Sequence, residues 1–236
     1  MPVACTKAQR CESGYCPVCI RLLRKKLLSF AERERLHELP WVYVTLCFKG
    51  WGIKPGDSSA FGKLRDHHLI KGVIRNLSRQ PGPPLIVIGG IETVFITLNN
   101  EPLVKPMHIH VLVSGRSKEQ IRKAVGNRIL RTEGQPFPDH YADVEPTFDD
   151  FVKALSYSFK QPFWKKSRLR ASDVGTKQFP KPNELRELAG NYGVHGWSGR
   201  LILCGVRFAG GRFEHTVNLS STLKATEMTI GSKRLK

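Results

Sequence analysis

The stretch Met107-His108-Ile109-His110-Val111-Leu112-Val113 is an apolar run that two histidines interrupt at alternate positions. Its β-branched and apolar content predicts a strand over about residues 107–113. Side chains of a strand point alternately to opposite faces, so His108 and His110 share one face while Ile109 and Val111 face a core. Two imidazoles about 7 Å apart along one strand can ligate the same divalent cation. The alternative interpretation is an ordinary pair of strand histidines.

A second apolar run, at about residues 85–98, predicts the preceding strand, with an interruption or bulge at Gly89-Gly90. Glu92 stands within this run. A carboxylate in apolar surroundings needs a partner, because burying it alone is costly. A catalytic metal site needs a third ligand beside two histidines and an open position, and Glu92 is the candidate. The alternative is that Glu92 faces solvent.

Outward from these strands, the chain up to residue 162 alternates between strand and helix patterns. Ser117 with Gln120 predicts a capping box, and Thr147 with Asp150 predicts the start of another helix. The predicted strands cover about residues 42–48, 85–98, 107–113 and 141–144, and the predicted helices cover about 20–39, 58–78, 117–131 and 147–161. This order predicts an α+β fold with a mainly antiparallel sheet and helices on one face. The ferredoxin-like (RRM-like) arrangement is the nearest common fold.

The last of these helices brings a tyrosine and two lysines to one face. Lys153, Tyr157 and Lys160 are spaced four and three residues apart, which places them together on a helix surface. Lysine lowers the free energy of a phenolate and neutralises a phosphate, so this face suits phosphoryl chemistry with Tyr157 as the nucleophile. The alternative is a surface tyrosine among solvated lysines.

Four of the six cysteines lie in the first 20 residues, at Cys5, Cys11, Cys16 and Cys19. Thiols clustered in this way in a basic protein predict a tetrahedral zinc site rather than disulfides. Because so short a segment has almost no core, bound zinc would supply most of its folding free energy. A set of free thiols is the alternative. Basic residues follow at once and make the segment a predicted DNA-gripping module, namely Arg21, Arg24, Lys25 and Lys26.

The chain is strongly basic, with 38 Lys and Arg against 20 Asp and Glu, a net charge of +18 and a pI near 10.0. This balance favours a polyanionic partner through counterion release, and we expect nucleic acid. Lys153, Lys165 and Lys166 are further predicted DNA contacts. A solubilising basic surface is the alternative. No apolar run is long enough for a membrane span and no signal-peptide pattern is present, so we expect a cytoplasmic protein without a membrane partner.

Taken in their order, these motifs resemble the HUH endonuclease superfamily, which includes rolling-circle replication initiators, conjugative relaxases and some insertion-sequence transposases. The family pattern is His-hydrophobic-His on a central strand, followed by a helix bearing Tyr-x-x-Lys. His108-Ile109-His110 and Tyr157-Ser158-Phe159-Lys160 match this pattern. The upstream Cys-Pro-x-Cys with its basic residues is similar to several initiators and transposases. Most relaxases place the tyrosine near the N-terminus, which counts against them.

The resemblance implies a replication initiator that nicks single-stranded DNA at an origin, or a transposase of the same superfamily. The metal, Mg²⁺ or Mn²⁺, would be bound by His108, His110 and Glu92 and would polarise the scissile phosphate. The third of these ligands varies across the family. Tyr157 would attack in line, keep the 5′ phosphate and free a 3′ hydroxyl, while Lys160 positions the metal or the phosphate. The predicted helix carries no second tyrosine on that face, which favours a single-tyrosine enzyme.

A host helicase and polymerase are implied partners. The chain is too short for a helicase domain and has no Gly-x-x-x-x-Gly-Lys-Ser/Thr loop. We predict a zinc-binding module with a basic helix at 1–39, an HUH nuclease core at 40–165 and a basic extension at 166–236. The extension carries a helix pattern at about 183–189 and a strand pattern at about 200–208.

Two other classes of protein compete with this interpretation. A non-catalytic, zinc-dependent nucleic-acid-binding protein fits the charge and the cysteines equally well. A metal-dependent hydrolase that uses water would need more carboxylates near the histidines than the sequence provides. Metal-dependent covalent attachment to DNA is expected of the tyrosine nuclease alone.

Overall fold

A computed structural model describes the chain at residues 5, 10, 11, 16–53, 68–93, 95–98, 101–102, 105–126, 140–145, 147–159, 165–168, 176–178 and 201–217. Four α-helices are described: α1 (Pro17–Arg33), α2 (His68–Ser78), α3 (Lys118–Val125) and α4 (Phe148–Ser158), with a 3-10 turn at Leu36–Glu38. The strands are β1 (Trp41–Ile53), β2 (Ile86–Thr93), β3 (Phe95–Leu98), β4 (Glu101–Pro102), β5 (Lys105–Ser114), β6 (His140–Val144), β7 (Lys165–Arg168), β8 (Thr176–Gln178), β9 (Leu201–Cys204), β10 (Val206–Ala209) and β11 (Arg212–His215).

The main sheet has five strands in the order β6-β1-β5-β2-β9, and each neighbouring pair is antiparallel. The predicted antiparallel sheet and α+β class are therefore confirmed. The stretch predicted as one strand at 200–208 divides at Gly205, where φ is +72°. As a result, β9 joins the main sheet and β10 forms a hairpin with β11. Strands β4, β3, β7 and β8 form a second, smaller sheet.

Helices cover both faces of the main sheet, so the prediction of helices on one face is wrong. The helices that connect strands, α2 and α3, pack together on one face. Helices α1 and α4 pack on the opposite face through shared buried residues, which include Leu27, Phe30, Ile88, Leu112, Phe151 and Leu155. Strand β2 is apolar at successive positions, Ile86-Val87-Ile88. Because such a strand presents apolar side chains to both sides, each face needs its own cover.

Local capping chemistry sets the starts of the helices. The predicted capping box is confirmed, since the Ser117 side chain accepts from the backbone of Gln120 and the Gln120 side chain accepts from that of Ser117. Thr147 caps α4 as predicted, accepting from the backbone N–H of Asp150. Helix α1 begins earlier than predicted because Pro17 fits the first helical turn. No described helix is long and apolar enough to cross a membrane.

The glycine pair in β2 does not form the predicted bulge. The register of β2 with β5 runs without a shift past Gly89-Gly90. A Cβ at Gly89 would collide with the carbonyl oxygen of His110, so this glycine permits close approach of the β5 backbone. The predicted helix at 183–189 and the start of the one predicted at 58–78 lie outside the described residues.

Candidate functional site

The two histidines lie on β5, the central strand of the sheet. His108 and His110 are 3% and 5% exposed. Their rings stack, with centroids 6.1 Å apart and planes 22° from parallel. The intervening Ile109 packs into the core under α2 and α3, while both imidazoles lie on the face that α1 and α4 cover. The period-two alternation of the strand therefore separates the core residues from the histidines.

Glu92 lies opposite His108 in the β2–β5 register. It is 3% exposed, and its Oε2 lies 2.9 Å from Nε2 of His110. A carboxylate so deeply buried needs a nearby positive group or proton to offset its lost hydration. The sheet thus brings Glu92 and both histidines onto one surface, although the chain separates them by a loop and two short strands.

Strand β1 supplies two hydroxyl groups that the sequence alone does not single out. Nδ1 of His110 lies 2.8 Å from the Tyr43 hydroxyl and 3.0 Å from the Thr45 hydroxyl. Burial raises the pKa of the Tyr43 phenol well above its ordinary value, so Tyr43 stays neutral. The tautomer of His110 sets the direction of these hydrogen bonds. With its proton on Nε2, His110 donates to Glu92 and accepts from the hydroxyls; with its proton on Nδ1, it donates to the hydroxyls and leaves the Nε2 lone pair for a cation beside Glu92.

Tyr157 lies in the last turn of α4, above this histidine. Phe151 and Leu155, on the inner side of the helix, are buried in the core shared with the sheet. Tyr157 itself is 49% exposed. Its ring meets the His110 ring edge-on, with centroids 5.3 Å apart and planes at 88°. It also meets Tyr43 edge-on at 6.0 Å. Tyr157 therefore lies between solvent and the buried His110–Glu92 pair.

The His110–Glu92 contact has the length of an ordinary hydrogen-bonded ion pair, and the same length suits a ligand pair around a small divalent cation. Ligands at adjacent vertices of an octahedron, with bonds of about 2.0–2.1 Å, lie about 2.9 Å apart. Nε2 of His110 and Oε2 of Glu92 have this separation, at 2.9 Å. One nitrogen and one carboxylate oxygen are also a donor set that Mn²⁺ and Mg²⁺ accept. These two residues therefore fit two positions of such an ion.

His108 stands further from a shared ligand position. Two imidazole nitrogens on one ion must lie within about 4.2 Å, twice a bond of about 2.1 Å. The ring centroids of His108 and His110 are 6.1 Å apart, so the His108 ring would have to tilt toward its neighbour. Among the described residues, the set of three or more His, Cys, Asp or Glu ligands that converges is the cysteine cluster instead.

The four N-terminal cysteines meet in space. The sulfur atoms of Cys5, Cys11, Cys16 and Cys19 all lie within 4.8 Å of one another. Cys19 Sγ is 3.5 Å from Cys5 Sγ and 3.7 Å from Cys11 Sγ. The geometry could hold a metal ion such as zinc, as the spacing of the cysteines predicts.

The cluster is attached to the core rather than separate from it. Cys16 is the N-cap of α1, and Cys19 is fully buried beside Leu23 and Leu27. A hydrogen bond from the Cys11 backbone holds the pKa of Cys5 near 6, well below the usual thiol value, while burial raises that of Cys19. A bound cation would stabilise all four thiolates together.

The predicted basic contacts are placed unequally. Arg21 and Lys25 are exposed on α1, whereas Arg24 and Lys26 are partly buried. Lys153 is exposed and forms an ion pair of 2.9 Å with Asp150. Lys160 lies outside the described residues. The backbones of Lys165 and Lys166 belong to β7, and their side chains are not described.

No family model, curated protein or solved structure matches this chain. The likeness to the HUH endonucleases therefore rests on the chain's own histidine, tyrosine and cysteine motifs.

Proposed function

We propose that this chain is a metal-dependent, DNA-nicking and strand-transferring endonuclease of the HUH type, which starts rolling-circle replication at an origin. The observation that carries the proposal is the exposed ring of Tyr157 against His110, beside the buried Glu92. An accessible nucleophile next to candidate metal ligands is the arrangement that transfer of a DNA phosphate requires.

Tyr157 is the nucleophile in this proposal because DNA can reach it. Tyr43 also touches His110, but it is partly buried, hydrogen-bonded and held neutral. The Tyr157 oxygen attacks the phosphorus and loses its proton. The bond from phosphorus to the 3′ oxygen breaks, the phosphate remains on Tyr157 as a 5′-phosphotyrosine, and the 3′ oxygen takes up a proton. The free 3′ hydroxyl then primes synthesis or rejoins another strand.

His108, His110 and Glu92 would hold Mg²⁺ or Mn²⁺, which when bound polarises the scissile phosphate. In this proposal the Tyr43 and Thr45 hydroxyls, which contact Nδ1 of His110, accept its proton and orient the ring. Lys160 positions the metal or the phosphate, as the family motif implies. The cysteine cluster holds structural zinc in the same proposal, and single-stranded DNA, a host helicase and a polymerase are the cytoplasmic partners.

The order of the strands supports the ferredoxin-like fold that this function implies. Strands β1 and β2 are joined through α2, and β5 and β6 are joined through α3. The two units interleave in the order β6-β1-β5-β2 with both helices on one face. The ferredoxin-like fold has a split β-α-β arrangement of this kind, which supports the proposal. Helices α1 and α4 and strand β9 are additions to it.

Covalent attachment to DNA tests the proposal. Purified protein is incubated with Mn²⁺ and labelled single-stranded DNA, both a random pool and fragments of the replicon that encodes it, and is resolved on a denaturing gel. We expect an adduct with the wild type that EDTA abolishes. Tyr157→Phe should abolish it as well, because the phenolic oxygen is the attacking atom.

Tyr141→Phe is the matched control. Tyr141 packs against the core on the opposite face, with the Arg122 guanidinium 5.2 Å from its ring, so this variant should form as much adduct as the wild type. DNA binding without an adduct on either substrate would contradict the proposal. A zinc-dependent DNA-binding protein would then be favoured, because the cysteine sulfurs converge more closely than the histidine site does.

A further inference from the structure

A groove of about 400 Å³ runs between α1 and the β10–β11 hairpin. Its walls carry Lys25, Lys26 and Arg33 from the helix and Arg212 from the hairpin. Arg212 is far from the other three in the chain, so the sequence of α1 alone does not indicate the groove. The proposed nicking chemistry does not use it.

The fold builds this groove from buried aromatics and a tight turn. Phe30 of α1 and Phe213 of β11 lie against each other with ring centroids 6.0 Å apart. Gly210 and Gly211 have φ of +57° and +75°, as the two central residues of a type I′ hairpin turn require. Lys26 donates a hydrogen bond of 2.6 Å to the Gly211 carbonyl, so the helix and the hairpin are held at a fixed separation.

The lining of the groove is positively charged. Among the described residues that line it, four are basic and none is acidic. Glu34 and Glu214 lie beside it and accept from Nε of Arg33 and Arg212, at 2.8 Å and 2.7 Å. The two arginine side chains nevertheless remain 64% and 79% exposed. A hydrogen bond from Nε to a carboxylate fixes the orientation of a guanidinium group but leaves the group exposed. The charges of Arg33 and Arg212 therefore still face the groove.

Among the described residues that line the groove, no aromatic ring is exposed for a base to stack on. Phe30 and Phe213 are only 2% and 3% exposed, and single-stranded DNA is normally bound by stacking its bases on exposed aromatic faces. A cationic groove without such a face contacts phosphates alone. We propose that this groove binds the sugar–phosphate backbone of double-stranded DNA. Because α1 and α4 pack on the same face of the sheet, the duplex would flank the single strand at Tyr157.

Binding of a duplex does not require tyrosine chemistry, so it is measured in the Tyr157→Phe background. The test variant adds Lys25→Gln, Arg33→Gln and Arg212→Gln, and keeps Lys26 because it holds the hairpin. The matched control adds three changes of equal charge on the opposite face, namely Arg75→Gln on α2, Arg79→Gln just after α2 and Lys123→Gln on α3. All six positions are exposed.

Fluorescence anisotropy is measured with a labelled duplex and with oligothymidylate of the same length, over a range of salt. We expect the groove variant to raise the duplex Kd by roughly 10- to 100-fold and to reduce the salt slope by about 2 to 3, since each phosphate contact contributes about 0.9. The control should change the duplex Kd by no more than about 3-fold. Oligothymidylate binding should change much less than duplex binding.

Three results would overturn the proposal: an unchanged duplex Kd, an equal loss in the control variant, or an equal loss of oligothymidylate binding. Chemical acetylation of the Tyr157→Phe protein, read by mass spectrometry, gives a second measurement that needs no groove substitution. Bound duplex should protect Lys25 and leave Lys123 reactive. Equal reactivity of Lys25 with and without duplex would also refute the proposal.

Discussion

The cysteine cluster draws its four candidate ligands from residues 5–19, whereas the histidine site draws its three candidate ligands from two strands that the sheet brings together. In the first, the sulfur atoms already converge, and little secondary structure precedes α1 among the described residues. In the second, strand register places His110 against Glu92. We therefore expect the cysteine segment to depend on a bound metal for its folding, and the histidine site to depend on the fold for the placement of its candidate ligands.

The largest effect we expect is on stability, at the cysteine cluster. Cys19→Ser removes a fully buried ligand at the start of α1 and should lower the free energy of unfolding by on the order of 5 kcal/mol, because structural zinc contributes to folding directly. Denaturant unfolding and measurement of bound zinc check this. Cys204→Ser is the control, since Cys204 lies in β9 away from the cluster. Equal losses in the two variants would contradict the role of the cluster.

At the histidine site we expect a large effect on nicking and a small effect on stability. His110→Ala should lower the nicking rate by about 10³-fold, about 4 kcal/mol in activation free energy, and change unfolding much less than Cys19→Ser does. Nicking of single-stranded DNA with Mn²⁺ measures the first quantity and denaturant unfolding the second. If His110→Ala unfolded the protein while nicking by the folded fraction persisted, the distinction between the two sites would fail.

Much of this contrast could be predicted from residue patterns. Alternation along β5 predicts that His108 and His110 share a face, and short-range rules predict the caps at Ser117 and Thr147. Tyr43 could not be paired with His110 in advance, because that contact depends on which strand lies beside β5. The sequence signal for Tyr43 was the alternation of hydroxyl-bearing and apolar side chains along β1. It predicts a polar face on this strand but not which strand lies beside it.

The same limit applied to other long-range features of the fold. A strand at 200–208 could be predicted from its composition, but its division at Gly205 and the pairing of β9 with β2 could not. The placement of α1 and α4 on the second face, and with it the basic groove, follows from tertiary packing. Sequence periodicity predicts which side of a helix is buried, not which surface covers it.

A smaller effect is expected from the hydroxyls around His110. Replacing Tyr43 by Phe and Thr45 by Val together should weaken Mn²⁺ binding by about 10- to 100-fold, because they orient the ligand. Titration calorimetry with Mn²⁺ measures the affinity, and Tyr141→Phe serves as the control. Unchanged affinity would mean that the sheet alone orients His110.

The smallest effect should come from a helix cap remote from both sites. Ser117→Ala removes the capping box of α3 and should lower the free energy of unfolding by about 1 kcal/mol. Zinc content and Mn²⁺ affinity should stay as in the wild type, which makes this variant a baseline for the others. A loss of either metal would show that global stability, rather than local geometry, controls the two sites.

The pairing of β2 with β9 also bears on how the chain is made. Strand β2 carries Glu92, and its edge away from β5 pairs with a strand that begins only at Leu201. During synthesis the backbone groups of that edge face water until the distant segment leaves the ribosome. A nascent or prematurely terminated chain would present a flat, apolar edge to other chains. Translation past Cys204 thus completes the sheet and also covers the edge of β2, which prevents aggregation through that edge.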